Sequence, residues 1–319
     1  MVNDKAAEFR STLLRLLGDD SPHSGEELGG LLGISRVAVH KHIKKLKEHG
    51  YPVESGPSGY RLNHLDTPSL STWDFEPDEN IRVSDIIDST MNEARRLARR
   101  HPGEDFTVAA ISQTSGRGRG NRRWESPEGG LWVTRWIHPG GSSLRIQLYV
   151  MAAAFVLADL IRRRWKLDAT VKWPNDVLVN NRKIAGVLGE AEVAGERIES
   201  LALGLGMNVN NPPAAGGVSL KELLGQEVDR KPILRDWISN LDDFLVSGRF
   251  PGDGDPLWFT SIMSDIGASV GLDTTQGPIV GKITGVDEFG RIRLETMDGP
   301  GRLIAAGDMI KQTRSSYAG

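Results

Sequence analysis

Ser115-Gly116-Arg117-Gly118-Arg119-Gly120-Asn121-Arg122-Arg123-Trp124 packs glycines, arginines and one tryptophan into a segment with no regular periodicity. Glycines let the backbone approach a ligand closely, and arginines supply forked donors for phosphate or carboxylate. No Gly-Lys-Ser/Thr follows at the spacing of a Walker A loop. A mobile surface loop with RNA affinity is the plainer alternative. Ahead of the stretch, Thr107 to Ser112 alternates as a strand and delivers Gln113 into it. Further back, Asp88-Ser89-Thr90-Met91-Asn92-Glu93 places Thr90 three residues before Glu93, a capping pair that predicts a helix from Asn92 to Arg100.

A second cluster follows the loop. In Val171-Lys172-Trp173-Pro174-Asn175-Asp176-Val177-Leu178-Val179, two short apolar strands flank a Pro-Asn-Asp turn. The turn brings a cation, an amide and a carboxylate together at Lys172, Asn175 and Asp176. Lys183-Ile184-Ala185-Gly186 and Gly204-Leu205-Gly206-Met207-Asn208 come next. Repeated glycines in strands predict close approach of a ligand or of another backbone.

At the N-terminal end, Phe9, Leu13, Leu16 and Leu17 recur at helical spacing. Ser24 and Glu27 form a capping pair for a second helix, with Leu28, Leu31 and Leu32 as its apolar side. Gly33-Ile34 makes a turn, Ser35 caps a third helix with Val39, Ile43 and Leu46 inward, and Gly50 ends it. Tyr51-Pro52-Val53, Gly56-Pro57-Ser58-Gly59 and Tyr60-Arg61-Leu62 read as a hairpin. The whole predicts a winged helix-turn-helix. Ser35, Arg36 and His40 then meet base edges, while Lys41, Lys44, Lys45 and Lys47 neutralise phosphates. A merely solvated basic face is the alternative. Residues 63–80, with Pro68 and Pro77, read as a linker.

Toward the other end, Ser219 to Leu224 and Pro232 to Leu245 carry helical patterning. Short alternating segments begin at Ala268: Ser269-Val270-Gly271, Ile279 to Val286, Gly290 to Glu295 and Gly301 to Ala305. They predict a small antiparallel barrel. The expected fold class is α+β, with domains at 1–66, 80–266 and 267–319 and with the helices of the central mixed sheet on one side. The run Gln147 to Ile161 reads as a buried helix too short to span a bilayer, and Met1 to Arg10 lacks the pattern of a signal peptide. There is no cysteine, which removes disulfides and thiolate chemistry and fits a cytoplasmic protein with no membrane partner. The net charge of −3 leaves any nucleic-acid contact to a local patch.

The loop Gly116 to Trp124, then Lys172 to Asp176, Lys183 to Gly186 and Gly206 to Asn208 resemble the biotin–protein ligase family in order and spacing. With the winged helix in front, the chain is similar to the bifunctional bacterial type, the BirA family. The resemblance implies that biotin and ATP, with Mg²⁺, give biotinyl-5′-AMP, which a lysine of the biotin carboxyl carrier protein of acetyl-CoA carboxylase then attacks. It implies an SH3-like C-terminal domain, operator DNA as a partner, biotinyl-5′-AMP as corepressor and a homodimer when the adenylate is bound. Carried over residue by residue, Ser89, Thr90, Met91, Gln113, Arg117, Gly118, Arg119, Lys172, Gly186, Gly204 and Gly206 line the biotin and adenylate site. Trp124, Asn175, Lys183 and Asn208 fall on the ATP side. Lys172, Arg117 and Arg119 are the expected catalytic cations, and Asp176 either accepts the acceptor amine's proton or orients its neighbours. The family has Asn where Met91 stands and Gly where Asn121 stands; Asn tolerates left-handed angles, so the loop shape is expected to survive. Two other readings stay open: a lipoate or octanoate ligase, against which the Arg-Gly-Arg loop and Lys172-Trp173-Pro174 argue, and a ligand-responsive transcription factor without activity, against which Arg117, Arg119 and Lys172 argue.

Overall fold

The structure, a computed structural model, describes residues 9, 12, 13, 16, 17, 21–48, 53–62, 80–120, 122–247, 261–274, 277–296, 299–304 and 308–310. Most of the expected linker, the Gly50-Tyr51-Pro52 junction, Asn121 and Ala305 lie outside these.

Phe9, Thr12, Leu13 and Leu16 are helical. Helix α1 (Gly25–Leu32) opens on a reciprocal capping box: Glu27 N–H donates to Ser24 Oγ at 3.1 Å and Ser24 N–H to Glu27 Oε2 at 3.4 Å. Such a cap contributes about 1 kcal/mol. Gly33, at φ 66, closes the helix and starts the turn. Helix α2 (Arg36–Glu48) is capped by Ser35 Oγ, which accepts from Ala38 N–H. Leu13, Leu17, Leu28, Val39, Ile43 and Leu46 are buried. Leu31, expected on the apolar side of α1, is instead 62% exposed, and Leu32 carries that contact. Strands β1 (Val53–Gly56) and β2 (Gly59–Leu62) form the hairpin. Two hydrogen bonds of 2.8 Å tie Tyr60 in β2 to His23, just ahead of α1.

The central unit is a seven-stranded sheet. In chain order its strands are β3 (Ile81–Ile87), β4 (Phe106–Gln113), β5 (Leu131–Ile137), β6 (Ala169–Lys172), β7 (Asp176–Val179), β8 (Arg182–Ala194) and β9 (Arg197–Met207). Their spatial order is β3-β4-β5-β9-β8-β7-β6, antiparallel except for the β3–β4 pair. Helix α4 (Ile146–Trp165) and helix α6 (Arg230–Val246) cover one face, against Val133, Val187, Leu203 and Leu205. The Trp237 indole N–H donates across to Ala153 O at 3.1 Å. The short helix α5 (Leu220–Leu224) follows β9.

Helix α3 (Thr90–Ala98) overturns the expectation that helices lie on one side only. Its Met91, Ala94 and Leu97 pack on Val108, Trp136 and Ala202. Those alternate along their strands with Ala109, Val133 and Leu203, which meet α4, so α3 sits on the opposite face. Helix α4 also runs longer than expected. With the 3-10 turn before it, it spans 23 residues and is apolar enough to cross a membrane by length and composition. Burial in this core, not shortness, marks it as a core helix.

The last unit comprises β10 (Ser269–Thr274), β11 (Gly277–Val286), β12 (Ile292–Thr296), β13 (Gly299–Ile304) and β14 (Asp308–Ile310). They pair antiparallel in the order β13-β12-β11-β10-β14. Where a closed barrel was expected, the described strands form an open sheet, because β13 and β14 at its two edges do not pair. Its apolar side, with Val270, Leu272, Ile283, Ile292 and Leu294, shares one cluster with Leu148 and Met151 of α4 and with Trp173.

Candidate active site and nucleic-acid interface

Parallel pairing of β3 and β4 places Ile87 beside Gln113. Both strands therefore end at one edge and release α3 and the Gly-Arg loop on the same side, where ligand crevices of α/β sheets form. Ser89, not Thr90, caps α3, since its Oγ accepts from Met91 N–H at 3.2 Å. Thr90 is left for the site: its N–H and hydroxyl donate to Gln113 Oε1 at 2.7 and 3.1 Å, and Thr134 Oγ1 donates to it at 2.9 Å. Gln113 in turn donates to Ser126 Oγ at 2.7 Å.

Just before the cap, Asp88 accepts from Arg96 and Asn92. The Arg96 guanidinium holds its carboxyl well below the usual carboxylate range. A depressed folded-state pKa stabilises above the unfolded value and stops doing so as the pH falls through it. Asp88→Asn is expected to cost about 1 kcal/mol at neutral pH, discounted for partial exposure. Thermal melts of the two proteins converge as the pH drops below the ordinary 3.8 toward the folded value.

The Gly-Arg loop is ordered as a tight hairpin. Trp124 N–H donates to Gly116 O at 2.9 Å and Gly118 N–H to Arg122 O at 2.7 Å. It folds over the sheet face that carries α3. Across that face one register row runs Lys172, Asp176, Gly186, Gly206, Trp132, Ala110. The next row includes Leu188, Gly204 and Thr134. A Cβ on Gly206 would lie 2.6 Å from the Trp124 indole nitrogen, and one on Gly204 2.7 Å from Met91 Sδ. The glycines form a floor on which these side chains rest directly.

Above this floor is a cleft of about 470 Å³, lined by all sixteen residues expected on the ligase site. Arg117 binds Glu190 through both its terminal nitrogens, and Arg95 reaches the same carboxylate at 2.6 Å. Arg119 donates to Asn175 Oδ1 at 3.5 Å, joining loop to turn. Asn175 is buried and donates to Val187 O at 2.6 Å. Asp176 pairs with Lys183 at 2.6 Å, whose ammonium sits 4.9 Å from the centre of the Trp124 ring. Asn208 Oδ1 accepts from Asn211. Lys172 is half-buried and makes no hydrogen bond or ion pair among the described residues. The Trp124 indole N–H is buried there with no hydrogen-bond partner among the described residues.

Thirteen lining residues went unassigned from sequence, among them Arg122, Arg123, Leu188 and the segment 214–217. Arg122 and Arg123 stood in plain view in the loop, and their wall positions follow only from its hairpin pairing across Arg117 and Arg123. Leu188 lay two residues past Gly186 in the same glycine-bearing strand without being assigned, and the segment 214–217 had no motif to mark it. Six lining cations (Arg117, Arg119, Arg122, Arg123, Lys172, Lys183) face two carboxylates (Glu125, Asp176), so the cleft favours an anion.

On α2, Ser35, Arg36, His40, Lys41, Lys44 and Lys45 are all exposed. The His40 ring contacts the Tyr60 hydroxyl at 3.0 Å and Lys47 donates to Ser55 at 2.8 Å, so this helix is braced against the hairpin.

Fold and site together define a protein class: a helix-turn-helix unit joined to a mixed-sheet domain with a glycine-floored, cation-lined cleft. The sequence pattern of the Biotin/lipoate A/B protein ligase family matches residues 83–208, an HTH domain matches 10–61 and a Biotin protein ligase C terminal domain matches 265–312. The "Bifunctional ligase/repressor BirA" of Bacillus subtilis is 30% identical over 304 residues, covering 89% of this chain and 92% of that one. Its Escherichia coli namesake is 32% identical over 206 residues, 62% of each chain. The biotin protein ligase of Aquifex aeolicus, solved in complex with biotin and ATP, superposes with a TM-score of 0.60 at 26% identity over 73% of this chain and 98% of that one. The chain belongs to the BirA family of bifunctional ligase/repressors.

Proposed function

We propose that the chain is an ATP-dependent biotin–protein ligase and a DNA-binding repressor, and that the roles expected from its motifs apply in this cleft. One observation carries the reading: the Gly-Arg loop and the Lys172–Asp176 turn, some fifty residues apart in sequence, converge over the same glycine floor. The substrates are biotin and ATP, the product is biotinyl-5′-AMP, and the acceptor is a lysine of the biotin carboxyl carrier protein of acetyl-CoA carboxylase.

Biotin's carboxylate is ionised near neutral pH, so its attack on the α-phosphorus needs no general base. The obstacle is repulsion between two anions. Lys172, with no partner among the described residues, is suited to bridge carboxylate and phosphate, and Arg119 to hold the phosphate. Arg117 contributes only in competition with Glu190, to which it is already bound. Mg²⁺ brought with the ATP would add charge neutralisation beside Arg119 and Lys172. Asp176 is engaged by Lys183, which supports an orienting role over that of a base. Met91 offers a thioether where the family has an amide, and it packs on Gly204 instead of donating a hydrogen bond.

We assign the N-terminal unit, 1–66, as a winged helix whose α2 enters the DNA groove. Residues 80–266 are the catalytic domain and 267–319 an SH3-like unit, the latter supported by its meander of short antiparallel strands. A cytoplasmic location and an adenylate-bound homodimer complete the proposal.

The test is pyrophosphate release from ATP, measured separately with biotin, with lipoate and with no acid. Release with biotin alone is expected; release with lipoate alone would move the assignment to the lipoate class. The loop adds a further expectation. Arg119→Ser is expected to make adenylate yet lose its hold on it, because a charge-assisted bond to the phosphate and the tie to Asn175 both disappear. Nonspecific biotinylation of a bystander protein would then rise several-fold. No rise, with adenylate still formed, would show that the loop does not retain the intermediate.

A further inference from the structure

The turn that carries Lys172 is held from outside the catalytic sheet. Strand β6 is an edge strand, and segment 262–264 pairs alongside it: Val171 N–H donates to Ile262 O at 2.7 Å and Ser264 N–H to Val171 O at 2.9 Å. The next residue, Asp265, is 5% exposed, and its Oδ2 accepts from Trp173 N–H at 3.0 Å. One residue further from Lys172, the Trp173 indole donates to Gly290 O of the C-terminal sheet at 3.1 Å. Lys172 thus stands between an edge strand clamped by 262–264 and a tryptophan whose backbone and side chain are both fixed by the segment that follows.

A buried carboxylate beside a lysine with no other partner among the described residues is costly unless it serves something. Burial pushes the Asp265 carboxyl up, while the Trp173 N–H, the Lys172 ammonium and Ser264 pull it back and Asp176 opposes them. Around Lys172 the other charged groups are Asp176, opposite it in the strand register and tied to Lys183, and Arg119, which reaches the turn at Asn175.

We propose that Asp265, at the junction of the catalytic and C-terminal units, is a positioning residue for Lys172: by accepting from the Trp173 N–H it fixes the backbone of the turn that aims the ammonium into the cleft. This rests on the ligase reading. The C-terminal unit then acts in the first half-reaction without touching substrate, because Gly290 holds the Trp173 side chain while Asp265 holds its backbone.

The experiment measures single-turnover adenylate formation, with its dependence on biotin and ATP concentration, for the full-length wild type, Asp265→Asn, Asp265→Ala and Lys172→Ala. Asparagine keeps an acceptor for Trp173 N–H and removes the charge; alanine removes both. Asp265→Ala is expected to slow the adenylation step by about tenfold or more with biotin and ATP KM little changed, as for a misaligned catalytic group. Asp265→Asn is expected to recover much of the rate near neutral pH. A folded Asp265→Asn protein that forms adenylate no faster than Lys172→Ala overturns the proposal, whether or not Asp265→Ala folds. So does a wild-type rate in a folded Asp265→Ala protein. If the wild type forms no adenylate, or if Lys172→Ala forms it at the full rate, the ligase reading or its use of Lys172 fails instead, and the two failures are told apart.

Discussion

Lys172→Ala is expected to lower adenylate formation by about two to three orders of magnitude while the protein still melts near the wild-type temperature. The size follows from what the side chain must do. One ammonium, aimed at the place where two anions meet, has the weight of a transition-state donor in a water-poor site. The fold survives because the side chain is half-buried at the end of β6 and contributes nothing to the apolar clusters. Pyrophosphate release and a thermal melt on one preparation make the measurement. Adenylate synthesis near the wild-type rate would remove Lys172 from the mechanism and leave Arg119 and the other loop arginines to neutralise the charge.

The second large effect concerns DNA. Titrated with DNA from upstream of biotin-synthesis genes, the protein is expected to bind about 10- to 100-fold more tightly when biotin and ATP are both present, the range of an ordinary allosteric coupling. A ligand shifts such an equilibrium only through different affinities for two states. The favoured state in this proposal is a dimer that presents two copies of α2 to a two-fold operator, with half-sites spaced to match. Binding should weaken steeply with salt, because Lys41, Lys44 and Lys45 are exposed along the helix and suited to phosphate contacts. Removal of residues up to about Thr67 should abolish it. Affinity unaffected by biotin and ATP at every protein concentration would leave a ligase with no regulatory coupling.

Much of this was legible in the residues. The Ser24–Glu27 box marked the start of α1 because reciprocal capping is a local device, fixed by three residues of spacing. The convergence of Gly116–Trp124 with Lys172–Asp176 was legible only through the family resemblance, since no periodicity says which loops meet. At the start of α3 the same local logic misled. Thr90 and Glu93 have the capping spacing, yet Ser89 caps and Thr90 turns to Gln113, a partner supplied by a neighbouring strand. Periodicity announces that a helix has an apolar side but not which sheet face will receive it, so the place of α3 was missed. Leu31 shows the converse, an apolar residue at helical spacing that stays exposed. Partnerships such as Glu190 with Arg117 and Asp265 with Trp173, separated by 73 and 92 residues, leave no local trace at all.

Helix α4 has a consequence for how the chain is made. Its apolar surface is covered by β8 and β9, then by α6 through Trp237, and at Leu148 and Met151 by strands as late as Ile292 and Leu294. The helix is therefore synthesised well before any of these partners, as 20 residues with the length and greasiness of a membrane anchor. A nascent chain stopped before residue 182 has only β4 to β7 to lay against it and leaves the surface that β8, β9 and α6 cover exposed. Until β8 and β9 leave the ribosome, a chaperone or a lipid surface competes for that helix on equal terms with the rest of its own protein.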